Sequence, residues 1–188
     1  MKIRMLLAAA AGLAIAGTAG AQTYALKAPL AAKPAFLTTV GQSADIEMVK
    51  VLLDRGGVPY KADAQAKASD LAASGAKTLV VVLGGSTKGL GAAGISADAE
   101  IDRAKALLAE AKKLGMTVIG VHVGGEARRG QLSDKFIQAA VPACHYVVAV
   151  AEGDSVLVTL GSAACAAAGA QASAAAPAAA AAGGRTIK

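Results

Sequence analysis

The sequence is poor in residues that mark several large functional classes. It has no tryptophan, 3% aromatic residues, two histidines and two cysteines in 188 residues. Nucleic-acid-binding surfaces usually combine basic clusters with aromatic side chains, and neither feature is present. The spacing of cysteine and histidine matches no zinc site. We therefore expect neither nucleic acid nor a metal ion as a partner.

Long apolar runs are also scarce, and the most prominent one lies at the N-terminus. A basic start, MKIRM, precedes the stretch LLAAAAGLAIAG and a cleavage pattern at Ala19, Gly20 and Ala21. This order of features predicts a secretory signal peptide over residues 1–21 and a mature chain that begins near Gln22 in the periplasm. No other run reaches the ~20 apolar residues of a membrane helix. The mature chain is therefore not expected to span a membrane.

Changes in composition divide the rest of the chain into three segments. Residues 22–35 form a lead-in that contains proline and alanine, residues 36–160 form the expected folded domain, and residues 161–188 are an alanine-rich tail of low complexity. The net charge of +6 becomes +4 without Lys2 and Arg4, a modest excess that attracts anions. The sequence does not decide whether Cys144 and Cys165 form a disulfide.

The apolar pattern of the central domain alternates between strands and helices. Short apolar runs predict strands at 35–40, 58–60, 77–83, 116–123 and 145–150, and helical periodicity predicts helices at 45–55, 64–73, 97–114 and 133–140. Such alternation is typical of an α/β fold with helices on both faces of the sheet. We predict a flavodoxin-like or Rossmann-like three-layer sandwich whose mainly parallel sheet has about five strands in the order 2-1-3-4-5.

Glycine-rich polar segments follow the predicted strands and suggest a ligand site. They read GQSAD at 41–45, GGSTKGLGAAGIS at 84–96, GGEARRG at 124–130 and EGDS at 152–155. All four fall at the carboxyl edge of a parallel sheet, where α/β proteins bind ligands. Glycine lets backbone N–H groups approach a ligand, and three basic side chains favour a small anionic metabolite. The predicted binding residues are Ser43, Asp45, Gly84, Gly85, Ser86, Lys88, Gly91, His122, Gly124, Gly125, Glu126, Arg128 and Arg129.

Cofactor motifs are matched only in part. Gly89, Gly91 and Gly94 fit G-x-G-x-x-G, but Gly89 lies six positions after Leu83, and the first acidic residue near the end of the next strand is Glu126, well beyond the expected ~20 residues. The phosphate-loop pattern fails because Lys88 is followed by glycine and leucine. We therefore expect no bound cofactor.

Catalytic patterns are weak, although an enzyme remains one of the alternatives. His122 lies near the end of a predicted strand, and Ser43 and Ser86 follow two others, so a hydrolase or transferase could use His122 as a base with either serine. No G-x-S-x-G elbow supports this arrangement. A hydrogen-bonded core histidine is the ordinary interpretation of His122, and a small buried side chain that of Cys144.

Three longer motifs carry a family resemblance. GQSADIEMVKVLL, LGGSTKGLGAAGIS and HVGGEARRGQLSDKFI resemble a family of exported bacterial proteins of unknown function, over roughly 36–153. The resemblance implies a small extracytoplasmic α/β domain defined by these loops, and it implies no reaction or ligand. The sequence departs from the expected pattern after Asp154.

The main functional hypothesis is that the chain is an exported binding or accessory protein for a small anion. A membrane transport complex is a possible partner in this hypothesis. The enzyme described above is the first alternative. An adaptor whose loop edge docks a membrane protein is the second.

Overall fold

A computed structural model describes residues 30–150 and the backbone of residues 173–175. The predicted signal peptide, residues 22–29 of the lead-in, the EGDS segment, Cys165 and the rest of the tail lie outside the described residues.

The core of the molecule is a parallel sheet. Its strands are β1 (Ala35–Val40), β2 (Tyr60–Ala62), β3 (Thr78–Leu83), β4 (Thr117–His122), β5 (Tyr146–Val150) and β6 (Ser173–Ala175). They are arranged in the order β2-β1-β3-β4-β5-β6, and every pair is parallel. The predicted order of the first five strands is confirmed. The sixth strand comes from the alanine-rich tail, where Ser173 lies opposite Val148.

Within residues 30–150, five α-helices connect the strands: α1 (Ile46–Arg55), α2 (Ala68–Ser74), α3 (Thr87–Ala93), α4 (Ala97–Lys113) and α5 (Gln131–Ala140). Four of them lie within a few residues of the predicted ranges. The prediction was wrong for α3, because it treated 84–96 as a loop. Ser86 caps α3 by accepting a hydrogen bond from the Gly89 N–H at 3.0 Å, and Leu90 is buried beneath it.

Both faces of the sheet are covered, as the unbroken apolar strands predict. Every residue of β1 and β3 is buried. On one face, side chains such as Val81 pack with Leu107 of α4 and Phe136 of α5. On the other face, Val80 packs in a cluster with Val49 of α1. These layers place the ends of β1, β3 and β4, and the segments that follow them, at one edge of the sheet.

Candidate functional site

The segments that follow β1, β3 and β4 meet at the carboxyl edge of the sheet. The Ser86 N–H donates to the Gly41 carbonyl at 2.8 Å, and Gln42 forms an isolated β-bridge with Gly85. The third segment reaches the first through Arg128, whose Nη2 lies 3.9 Å from Oδ1 of Asp45. Residues 41–45, 84–86 and 124–130 therefore form one surface, which we call the loop edge.

A buried ion pair that the sequence did not reveal holds the first of these segments. Glu100 has no exposed surface, and its Oε1 accepts hydrogen bonds from the Gly41 N–H at 2.9 Å and from Gln42 Nε2 at 3.2 Å. Arg103 donates to Glu100 through Nε and Nη2, and its two Nη atoms also donate to the carbonyls of Ala66 and Thr39, both at 2.6 Å. Glu100 lies in the first turn of α4, and its side chain fixes the end of β1.

Several glycines in the loop edge and in α3 allow the protein to contact itself. A Cβ added to Gly89 would overlap the Gln42 carbonyl, and one on Gly41 would overlap the Gly84 carbonyl. A Cβ on Gly85 would lie 2.9 Å from the Ser133 nitrogen at the start of α5. The Gly85 N–H also donates to Ser133 Oγ at 3.0 Å, a contact that sequence reasoning missed. Close packing of these segments is therefore the first reason for their glycine content.

Gly84 differs from these glycines because a Cβ there would meet no atom closer than 3.4 Å. A Cβ added there would make only ordinary contacts, 3.4 Å from Ser43 Oγ and 4.0 Å from Asp45 Oδ2. Ser43 is buried, and its Oγ accepts from the Asp45 N–H at 3.2 Å. The Asp45 side chain is 10% exposed, and its Oδ2 is buried without a hydrogen-bond partner. The structure thus brings Ser43, Asp45 and Gly84 together in one cluster.

An open cavity of ≈ 320 Å³ lies at the loop edge. Gly85, Thr87 and residues 127–133 line it. Arg128 is on its wall with 58% of its side chain exposed, whereas the Arg129 side chain is 14% exposed and its Nε donates to Asp134 Oδ1 at 2.6 Å. This hydrogen bond from Arg129 holds the pKa of Asp134 below its usual value of 3.8. The two arginines therefore have different environments, and Arg128 is the more accessible one.

The start of α5 forms another part of this wall. Gly130 precedes the helix and supplies no side-chain cap, and the Asp134 N–H donates to the Gly130 carbonyl at 2.8 Å. The N–H groups of the first helical residues, 131–133, have no intrahelical acceptor, as at the beginning of any α-helix. The positive end of the helix dipole therefore lies beside Arg128 and Arg129.

His122 is buried at the end of β4 and bridges two segments. Its Nδ1 lies 2.8 Å from the Leu83 carbonyl oxygen, and its Nε2 lies 3.2 Å from the Gly125 carbonyl oxygen. The structure shows no hydrogen bond between His122 and Ser43 or Ser86. Use of His122 as a base would require its ring to leave at least one of these carbonyls.

The remaining predicted residues lie farther from the cavity wall or face solvent. Lys88 is exposed on α3, and Glu126 is exposed in the 3₁₀ turn Glu126–Arg128. A Cβ on Gly91 or Gly125 would meet open space, although the positive φ of 62° at Gly125 favours glycine. Gly124 lies against the side chain of Arg128, beside Asp45 Oδ2. Three positive charges were expected around the ligand, but Lys88 is not among the residues that line the cavity.

A larger cavity of ≈ 550 Å³ lies at the opposite edge of the sheet. Its wall includes Leu108, Pro142 and Cys144, with Lys105 and Lys112 from α4. Val118 and His145 place it near the starts of β4 and β5. Volume alone would favour this cavity, but it lacks the arginines, the helix start and the unpartnered carboxylate of the loop edge. We therefore take the loop edge as the candidate site.

The described part of the chain contains neither a helix suited to span a membrane nor a cluster of metal-binding side chains. No helix in that part of the chain is long and apolar enough to cross a membrane. Within the same residues, no three His, Cys, Asp or Glu side chains are grouped so that they could hold a metal ion.

Comparison with known proteins identifies one family, and several solved structures resemble the chain distantly. Residues 32–162 match the family described as "Domain of unknown function (DUF6305)". No curated protein matches the chain significantly.

The first solved structure is the psychrotrophic esterase EstA from Pseudoalteromonas sp., inhibited by monoethylphosphonate. It is 7% identical, with a TM-score of 0.33, over 59% of this chain and 72% of that chain. The second structure, TesA, is 10% identical, with a TM-score of 0.31, over 56% of this chain and 69% of that chain. Likenesses this distant assign no activity to the chain.

Proposed function

Since the chain belongs to the DUF6305 family, whose description gives no activity, we propose from the site itself that this protein binds a small anionic ligand. The ligand occupies the 320 Å³ cavity at the loop edge. In this proposal the protein is exported and acts as a binding or accessory protein, with a transport complex as a candidate partner. The predicted signal peptide at 1–21 supports export.

The observation that carries this proposal is the uncapped start of α5 in the same cavity as two arginines. Gly130 provides no side-chain oxygen to the first turn of α5, so the N–H groups there are available to a ligand. Helix starts bind carboxylates and phosphates because free N–H groups and the helix dipole act together. Gly130 and residues 131–133 all line the cavity.

The two arginines contribute in different ways. Arg129 is held by Asp134, so its guanidinium is fixed in position and partly neutralised. Among the described residues, the one ion pair of Arg128 is its 3.9 Å contact with Asp45, and its side chain is more than half exposed, so it can turn toward a ligand at little cost. A charge-assisted hydrogen bond from Arg128 would add about 1.5–3 kcal/mol to anion binding.

Titration calorimetry with the mature protein tests this proposal, using acetate, butyrate, succinate and inorganic phosphate as probes. We expect at least one of these anions to bind saturably, and Arg128→Ala to weaken that binding tenfold or more without unfolding the domain. Lys88→Ala is the matched control, because it removes the same charge from α3 outside the cavity wall and should change affinity less than twofold. Equal losses in the two variants would indicate only a general effect of net charge.

Other outcomes would favour the alternatives. No binding by any probe would overturn the anion site. Turnover of an ester or a transfer substrate that is lost in both His122→Ala and Ser43→Ala would favour an enzyme. Neither binding nor turnover, combined with co-purification of a membrane complex, would favour an adaptor.

A further inference from the structure

The cavity at the opposite edge of the sheet is large, and most of its wall is apolar. Its volume of ≈ 550 Å³ lies within the range of roughly 300–1,000 Å³ that is typical of small-molecule sites. Leu108, Val118 and Cys144 are buried in the wall. Ala139 of α5 and Pro142, just after that helix, add further apolar surface. An apolar group that enters this cavity would therefore be removed from water.

Two lysines give the apolar wall a cationic rim. Lys105 and Lys112 are seven residues apart on α4, so they lie on one face of the helix, roughly 10 Å from each other along its axis. Both line the cavity and both are exposed, as expected when the alkyl part of a lysine covers apolar surface and its ammonium group stays in water. In the described part of the chain, neither lysine forms an ion pair, and none of the residues that line the cavity is acidic. Their charges can therefore pair with an anionic ligand.

His145 adds a hydrogen-bond donor to the same wall. The Val118 N–H donates to His145 Nδ1 at 2.9 Å, and the His145 N–H donates to the Val118 carbonyl at 2.8 Å. Because Nδ1 accepts a hydrogen bond, the ring proton of neutral His145 lies on Nε2. This second ring nitrogen has no hydrogen-bond partner among the described residues. It can donate to a carboxylate oxygen.

We propose that this cavity binds a single-chain amphipathic anion, namely an alkyl carboxylate of the medium-chain fatty acid class. The alkyl chain lies against Leu108 and Val118, and the carboxylate lies at the rim, near Lys105 and Lys112. A short polar anion would leave the apolar wall in contact with water, and an uncharged alkyl chain would leave the lysines unpaired. This site is separate from the loop edge and does not depend on the anion proposed there.

Titration calorimetry of the mature protein with hexanoate, octanoate and decanoate tests the proposal, each below the concentration at which it forms micelles. The 1-alkanols of the same chain lengths are the matched ligands without charge. For the wild type, we expect saturable binding of at least one carboxylate. Its affinity should rise about fourfold with each added methylene until the cavity is filled, which is equivalent to ~0.8 kcal/mol. The matched alcohol should bind at least fivefold more weakly, because it cannot pair with the lysines.

Ala109→Glu changes the charge of the rim at an exposed position. Ala109 lines the cavity four residues after Lys105 and three before Lys112, so a glutamate there would pair with both lysines and repel the ligand. Ala106→Glu is the matched control, because Ala106 is exposed on the same helix and does not line the cavity. We expect Ala109→Glu to weaken carboxylate binding tenfold or more, and Ala106→Glu to change it less than twofold. Thermal unfolding checks that both variants are folded.

Lys112→Gln removes one of the proposed charges directly. Lys113→Gln is its matched control, because Lys113 is the next residue of α4, pairs with Glu110 at 3.1 Å and does not line the cavity. We expect Lys112→Gln to weaken carboxylate binding at least threefold and to leave alcohol binding unchanged. Lys113→Gln should bind both classes of compound as the wild type does.

The outcomes distinguish this cavity from the loop edge and from a lipid surface. A wild-type protein that binds none of the carboxylates, or that binds carboxylates and alcohols equally, would overturn the proposal. Carboxylate binding that persists in Ala109→Glu and is lost in Arg128→Ala would place the ligand at the loop edge and would also overturn it. Sedimentation with phosphatidylglycerol vesicles, without binding of monomeric carboxylates, would indicate a membrane surface instead of this ligand.

Discussion

The Gly41 N–H donates a 2.9 Å hydrogen bond to Oε1 of Glu100, a buried carboxylate 59 residues farther along the chain. Through this contact, the start of α4 fixes the end of β1, where Ser43 and Asp45 begin the loop edge. Arg103 completes the arrangement by pairing with Glu100 at 2.7 Å and by donating to Thr39 and Ala66.

Glu100→Gln should therefore lower the free energy of unfolding by about 3–5 kcal/mol, because it leaves Arg103 without its charge partner in a buried site. Urea unfolding measures this change. Glu110→Gln is the matched control on the same helix, since Glu110 also pairs with a basic residue three positions later, the exposed Lys113. That variant should lose only about 0.5 kcal/mol. Similar losses in the two variants would contradict a special role for Glu100.

Two glycines of α3 should respond in opposite directions to alanine. Gly91→Ala should raise stability by up to about 1 kcal/mol, because alanine favours helix and its methyl meets open space. Gly89→Ala should lower stability, because its methyl would overlap the Gln42 carbonyl. Thermal unfolding of both variants tests the prediction, and a gain in stability for Gly89→Ala would show that α3 does not pack against Gln42.

The ion pair between Arg129 and Asp134 should make the free energy of unfolding depend on pH in the acid range. The hydrogen bond from Arg129 lowers the folded-state pKa of Asp134 below 3.8, so at low pH the unfolded chain binds the proton more readily than the folded one. The contribution of the pair is present above 3.8 and is lost as the pH falls through the lower, folded pKa. Asp134→Asn should therefore show a smaller loss of stability than the wild type on acidification through this range.

Denaturant unfolding at a series of pH values measures this difference. Asp102→Asn is a suitable control, because Asp102 is exposed on α4 and has no ion pair in the described part of the chain. It should retain the acid dependence of the wild type. If stability fell with pH in the same way in Asp134→Asn and in the wild type, the lowered pKa of Asp134 would be contradicted.

Export is tested directly by the N-terminus of the mature protein. Cleavage after Ala21 should give a protein that begins at or near Gln22 and partitions with the periplasm. N-terminal sequencing of the fractionated protein checks this prediction. A cytosolic protein that retains the leader would refute it.

The order of the first five strands could be predicted because their apolar runs are short, β-branched and separated by clear helical patterns. The helix α3 could not be predicted in this way, because Gly89 and Gly91 have low helix propensity. It forms because Ser86 caps it, Leu90 is buried and Gly89 fits against Gln42. In this segment, tertiary contacts outweigh local preference.

The candidate site was predictable only in outline. Glycine and charge indicated that three segments lie at one edge, and the structure brings residues 41–45, 84–86 and 124–130 together there. The contact of Glu100 with Gly41 spans 59 residues, and that of Ser133 with Gly85 spans 48, so no local pattern signals either. Glycine content also did not distinguish Gly85, which packs against α5, from Gly84, where an added Cβ would make only ordinary contacts.

The hydrogen bond from Arg103 to Thr39 also affects how the protein meets other copies of itself. β2 pairs only with residues 35–37 of β1, so the rest of that side of β1 would otherwise be an open strand edge. The Thr39 carbonyl is occupied by Arg103, and the Gly41 N–H by Glu100. Lys61 lies at the centre of β2, the outermost strand on this side. An added extended chain would therefore find these two backbone groups of β1 already occupied, and we expect this to disfavour aggregation by strand addition beyond the end of β2.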